Sequence, residues 1–180
     1  MNQKSKFSWR LAGIASLIAI PFLAVSVEID KNDSSLSNAE RLPKVVHSLL
    51  LDIAPTSSGY VAVGERGHII ISADGKNWQQ LDVPTRSTLT TVSVSGQSIW
   101  AAGHDGIILH SADAGKSWQR QRVIPWSKDS TEITNGSPVL DTLFTDENTG
   151  YAIGAYSLAL KTVDGGANWL PLVVSAPQEA

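Results

Sequence analysis

The chain has 180 residues, 42% of them apolar, which fits one modest globular unit and excludes a chain disordered overall. Its 14 basic and 17 acidic residues give a formal charge of -3, too small and too mixed for a nucleic-acid track or a polyacidic tail. It has no cysteine, which excludes disulfides, thiolate metal sites, a cysteine nucleophile and a lipid anchor on an N-terminal cysteine.

Residues 1–27 read as an export segment. Lys4, Lys6 and Arg10 precede an uncharged stretch from Leu11 to Val27, the layout of a signal peptide or a membrane anchor. That stretch falls short of the roughly 20 apolar residues a spanning helix needs. Pro21 interrupts it, and Ala24-Val25-Ser26 offers the small residues a signal peptidase reads, so cleavage is favoured over retention. The expectation is an exported protein, periplasmic or anchored on the outer face of the cytoplasmic membrane. Residues 28–46 are charged and rich in Ser and Asn, which suits a linker, with a short strand expected around Val45 and Val46.

Residues 47–175 contain an internal repeat, with copies at about 47–84, 88–124 and 139–175. Each copy predicts a first apolar strand (residues 49–54, 89–94 and 139–144) and a second strand rich in aromatic or β-branched residues (60–63, 99–102 and 151–153). The second strand ends at Gly64, Gly103 or Gly154, expected to take positive φ in a tight hairpin. Counting back from these glycines aligns Ile53, Val92 and Leu143 with one another, and likewise Leu50, Leu89 and Leu140. A third, almost wholly apolar strand follows (69–71, 107–109 and 158–160), as expected of a strand covered on both faces. A fourth is predicted at 79–83, 119–123 and 170–174.

Between the third and fourth strands lies the most specific motif in the chain, Ser/Thr-x-Asp followed by glycine and tryptophan. Its copies are Ser72, Asp74, Gly75 and Trp78; Ser111, Asp113, Gly115 and Trp118; and Thr162, Asp164, Gly166 and Trp169. A short carboxylate two residues after a hydroxyl accepts backbone N–H groups further on, glycine supplies the left-handed reversal, and the indole folds back as an apolar plug. The first copy is one residue shorter between Asp and Trp, so a tighter turn is expected there. Four antiparallel strands recurring every 40 residues from Trp78 to Trp118, and every 51 from Trp118 to Trp169, is the periodicity of propeller blades. The longer interval is caused by an insertion at 124–138, polar and without strand pattern, in which Trp126 stands between Pro125 and Ser127. The predicted fold class is all-β: a partial β-propeller of three four-stranded antiparallel blades behind an N-terminal signal or anchor helix.

These turns resemble the Asp-box, or BNR, repeats of sialidases. With the preceding Gly-x-x-Gly they are similar to the photosystem II assembly and stability factor family of cyanobacteria and plastids. The resemblance covers about residues 47–175. It implies a non-enzymatic scaffold that binds a protein partner, expected to be a membrane-protein complex. Two departures stand out: the family closes a ring of about seven blades, whereas three copies are present here, and Ser157 replaces the glycine found at Gly67 and Gly106. Three blades do not close a ring, so the chain reads as the N-terminal part of a longer protein or a truncated reading frame, with ring completion by self-association less favoured.

The alternative reading is a sialidase-like glycosidase or a glycan-binding module. Such enzymes use an arginine cluster, a Tyr/Glu nucleophile pair and an acidic proton donor. Arg41, Arg66, Arg86, Arg120 and Arg122 show no such context, and no catalytic residue is assigned. The box carboxylates are explained by their turns, and His47, His68, His104 and His110 have no metal-ligand spacing, so no metal or cofactor is expected. Two residues remain as partner contacts. Arg66, in the turn Gly64-Glu65-Arg66-Gly67, is similar to the basic turn of the family's first blade, and Trp126 is a candidate exposed anchor. Trp100 is expected to pack inside a blade.

Overall fold

The computed structural model describes residues 33–124 and 136–173. The predicted export segment and Trp126 lie outside these residues. Blade 1 consists of β1 (Leu50–Thr56), β2 (Gly59–Gly64), β3 (Ile69–Ser72) and β4 (Gln79–Gln80). Blade 2 consists of β5 (Leu89–Ser95), β6 (Ser98–Gly103), β7 (Ile108–Ser111) and β8 (Gln119–Arg122). Blade 3 consists of β9 (Val139–Phe144), β10 (Gly150–Gly154), β11 (Ala159–Thr162) and β12 (Leu170–Pro171). Each blade is a separate antiparallel sheet with its strands in sequence order. The expected all-β blade architecture is present. The fourth strands are shorter than predicted, because in blades 1 and 3 only two residues pair before the chain leaves the sheet.

The blades stack face to face, and the alternation of side chains along each strand decides which residue meets which neighbour. Val61, Val63 and Ile69 of blade 1 meet Val92, Ile99, Ala101, Leu109 and Trp118 of blade 2 in one buried cluster. On the other side of blade 2, Ala102 and Ile108 meet Val139, Ala152 and Leu160 of blade 3. Trp100, fully buried, points the same way and stacks on Phe144 with ring centroids 3.5 Å apart. Every blade thus has a trailing face toward its successor and a leading face toward its predecessor. The leading face of blade 1, with Ala62, Ile70 and Trp78, is partly covered by Leu42 and Val45. The first strands adjoin one another, β1 beside β5 and β5 beside β9.

Three local expectations are corrected. First, in blade 3 the paired residues are Val139 with Gly154 and Thr142 with Ala152, whereas Leu89 pairs with Gly103 and Val92 with Ala101. The counterparts of Leu89 and Val92 are therefore Val139 and Thr142, not Leu140 and Leu143. The β9–β10 turn is one residue longer, and a one-residue slip moves a side chain to the opposite face. Leu143 is accordingly 60% exposed.

Second, Gly64 and Gly103 are extended, at φ -173° and 177°. Glycine is required there by close approach, since a Cβ at Gly103 would sit 2.0 Å from the Thr88 carbonyl oxygen. The left-handed positions of the hairpin are the next ones, Arg66 and Gly67 in blade 1 and Asp105 and Gly106 in blade 2. In blade 3 Tyr156 and Ser157 adopt them without any glycine, at φ 55° and 61°.

Third, Val45 and Val46 form no strand. Residues Val45–His47 make a 3₁₀ turn with Val45 buried. The segment before it runs against blades 1 and 2: the Ala39 N–H donates to the Val83 carbonyl, and Arg120 donates to the carbonyls of Ser35 and Leu36.

Candidate functional site

Antiparallel order sends the β1–β2 and β3–β4 turns to one end of the stack, and the β2–β3 turns with the blade-to-blade connections to the other. The first end carries the boxes. In blade 1 the Ser72 hydroxyl donates to Asp74 Oδ1 and accepts the Gly75 N–H, while the N–H groups of Lys76 and Asn77 both donate to Asp74 Oδ1 at 2.8 Å. In blade 2 Ser111 plays the same part, and Asp113 accepts the N–H and hydroxyl of Ser117 at 2.8 and 2.6 Å. In blade 3 Thr162 pairs with Asp164, which accepts the N–H and side-chain amide of Asn168. The shorter first turn reaches three residues ahead of its Asp instead of four. The longer ones accommodate an extra left-handed residue, Ala114 or Gly165.

Each box carboxylate is held below its ordinary pKa by these donors. For Asp74 the Asn77 and Lys76 N–H groups dominate, and for Asp164 the Asn168 side chain does. The Ser117 hydroxyl and N–H hold Asp113 at about 2. An anion held ionised in this way does not carry the proton of a general acid at neutral pH. The indoles close the corners: the N–H groups of Trp78 and Trp118 donate to the carbonyls of Gly75 and Gly115, both at 3.2 Å. Each indole lies on its blade's leading face, Trp118 buried between blades 1 and 2, Trp169 beside the cluster between blades 2 and 3, and Trp78 against the cluster holding Leu42 and Val45. The Trp169 N–H has no partner among the described residues. A cleft of about 290 Å³ at this end, lined by Tyr60, Asn77, Gln79 and Ser58 among others, has no carboxylate, arginine or histidine in its wall.

The opposite end holds Arg66. Its turn is clamped against the connection between blades 1 and 2, where a Cβ at Gly67 would meet the Thr85 carbonyl. The equivalent turn of blade 2 is tied down by Asp105, which accepts the hydroxyls of Ser34 and Ser87 at 2.8 and 2.6 Å. Sequence reasoning missed this clamp because its partners are 71 and 18 residues away. Arg66 is exposed, in a left-handed backbone position, and no hydrogen bond or ion pair engages it among the described residues.

The other four arginines after the export segment are engaged. Arg41 pairs with Asp82 and Arg86 with Glu40. Arg120 holds the segment at Ser35 and Leu36, and Arg122 donates to the Gly106 carbonyl. They do not converge on a carboxylate-binding clamp. Among the described residues no cluster of three His, Asp or Glu side chains is arranged to hold a metal. Of the histidines, His68 is buried with neither ring nitrogen in a geometrically good hydrogen bond among the described residues, His110 stacks on Trp100, and His47 and His104 are exposed.

Face-to-face four-stranded blades, each turned at a hydroxyl, carboxylate, glycine and indole corner, define a segment of an Asp-box β-propeller. The family model of the photosynthesis system II assembly factor YCF48 matches residues 31–125, more than half of the chain, and the chain belongs to that family. It is 27% identical over 156 residues to the photosystem II assembly lipoprotein Ycf48 of Synechococcus sp. (strain CC9902), covering 84% of this chain and 44% of that protein. The chain therefore spans less than half the length of that relative. Among solved structures it resembles YCF48 bound to a D1 peptide, with a TM-score of 0.59, 21% identity, and coverage of 80% of this chain and 47% of that one. An ancestral GH74 enzyme shares the fold at a TM-score of 0.51 and 19% identity, over 72% of this chain and 19% of that one.

Proposed function

We propose that this chain acts outside the cytoplasmic membrane as a non-enzymatic scaffold that binds an extramembrane segment of a membrane-protein subunit during assembly of a photosystem II-type complex. The observation that carries this reading is the match of residues 31–125 to an assembly-factor family. A structural relative that holds a D1 peptide supports it. Binding is assigned to the end that presents Arg66, whose cation is exposed and unpaired among the described residues and can meet a carboxylate or backbone carbonyls of an extended segment. Trp126, within the insertion that enters blade 3, is assigned as a second contact, an aromatic anchor of the kind that dominates protein interfaces. The box end contributes stability, because its carboxylates are consumed by their own turns.

The reading is tested with an array of overlapping peptides that tile the extramembrane parts of D1, probed with the purified chain. One contiguous set of peptides is expected to bind. Binding to none of them, at peptide concentrations up to the millimolar range, would overturn the proposal.

A further inference from the structure

The turns between the second and third strands bring one residue of each blade to the same place at the Arg66 end. Arg66, Asp105 and Tyr156 each take the first left-handed position of their turn, at φ 56°, 58° and 55°. In blades 1 and 2 a glycine takes the second position, where a Cβ would run into Thr85 in the case of Gly67, and into Arg122 and Ser137 in the case of Gly106. Blade 3 has Ser157 there, so two successive residues with side chains stand in a backbone region that favours glycine.

The side chain displayed by this turn is Tyr156, 66% exposed and without a hydrogen bond or ring contact among the described residues. A bulky residue in the left-handed region is an outlier, and such outliers gather where a chain binds something. Its exposure belongs to the position: Arg66 is exposed at the same place, although β5 of blade 2 lies against its turn. Asp105, between them in blade order, is tied down by the hydroxyls of Ser34 and Ser87. A segment laid across the three turns therefore passes an exposed cation, a tethered carboxylate and an open aromatic ring.

Resting on the reading that the Arg66 end binds an extended segment, we infer from this row of turns that Tyr156 is a partner contact and selects the segment bound. That segment carries an acidic group for Arg66, no acidic side chain opposite Asp105, and an aliphatic or proline side chain for the ring of Tyr156. Each requirement follows from the group that faces it. A guanidinium takes a carboxylate through paired N–H donors. Two carboxylates brought together as water leaves repel each other. An exposed tyrosine offers a rigid apolar ring face with few rotamers to freeze, so it contributes contact area at low entropic cost.

Fluorescence anisotropy with the strongest D1 peptide of the array compares the wild-type chain, Tyr156→Asn, Tyr156→Phe and Arg66→Glu. Asparagine tolerates the left-handed backbone better than tyrosine. Tyr156→Asn therefore removes the ring without unsettling the turn, and its melting temperature is expected to match or exceed that of the wild type. Affinity is expected to fall about fivefold or more in Tyr156→Asn and to stay within about twofold in Tyr156→Phe. Wild-type affinity in Tyr156→Asn beside a loss in Arg66→Glu would overturn the inference and leave the binding reading standing. An equal loss in Tyr156→Phe and Tyr156→Asn would overturn the assignment of the ring. If no D1 peptide binds, or if neither Arg66→Glu nor Tyr156→Asn changes the affinity, the binding reading falls and the inference falls with it.

Discussion

Replacement of Trp118 by alanine removes the indole that plugs the space between blades 1 and 2, where it is 8% exposed and touches residues of both. A tryptophan buries about 200 Å² of side chain, and at about 25 cal/mol per Å² its return to water costs about 5 kcal/mol. The N–H bond to the Gly115 carbonyl at 3.2 Å contributes about 1 kcal/mol more. Partial collapse of Leu81, Ile99 and Val123 around the hole returns some of this, so the expected loss is about 3–5 kcal/mol. Trp78 holds the same place in its corner but is only half-buried, against Leu42, Val45 and its own sheet. Trp78→Ala is accordingly expected to cost about 1–2 kcal/mol. Urea unfolding followed by far-UV circular dichroism measures both, with the m-value as a check that the two-state treatment holds. A loss below about 1 kcal/mol for Trp118→Ala, or equal losses at the two sites, would refute the reasoning that burial between blades sets the contribution of each corner.

Asp113 titrates in the folded chain at about 2, below its ordinary 3.8, so its contribution to stability is complete above about pH 4 and fades as pH falls toward 2. Melting temperature recorded from pH 5 to pH 2 is expected to fall less steeply for Asp113→Asn than for the wild type within that window. His68 is buried, and burial pushes its pKa below the ordinary 6.5 despite the nearby Glu65 and Glu40, so stability is lost as pH falls below that value. Ile107 and Leu158 hold the same position in the other blades, and His68→Ile is expected to gain about 1 kcal/mol in urea unfolding at pH 7 and to flatten the curve between pH 6.5 and 5. Gly103→Ala places a methyl group 2.0 Å from the Thr88 carbonyl oxygen, and a loss of about 2–3 kcal/mol in the same assay is expected.

The elements read best from sequence are those whose cause is local. Ser72, Asp74 and Asn77 close their turn within six residues, so their spacing alone carried the hydrogen-bond pattern, including the tighter first turn. The apolar third strands were legible because both faces are buried and no alternation confuses them. Register in blade 3 was not legible, since one extra residue between Phe144 and Gly150 shifts the pairing while leaving an equally apolar pattern of Leu140 and Leu143. Nor was the need for Gly64 and Gly103, which lies in the carbonyls of Leu49 and Thr88, just ahead of the neighbouring first strands. The links between blades, Asp52 to Val92 and Thr91 to Thr142, join residues 40 and 51 apart and appear only once the blades are stacked. Arg66 was singled out through resemblance. The structure adds that it is the one arginine of the five without a hydrogen bond or ion pair among the described residues.

The most direct measurement of partner binding at the Arg66 end is a fluorescence anisotropy titration of the strongest D1 peptide into three chains: wild type, Arg66→Glu and Lys76→Glu. The last reverses an exposed charge in the box turn of the same blade, at the opposite end of the stack. Affinity is expected to fall at least tenfold for Arg66→Glu and to stay within twofold for Lys76→Glu. An unchanged affinity in Arg66→Glu, or a loss confined to Lys76→Glu, would contradict the assignment.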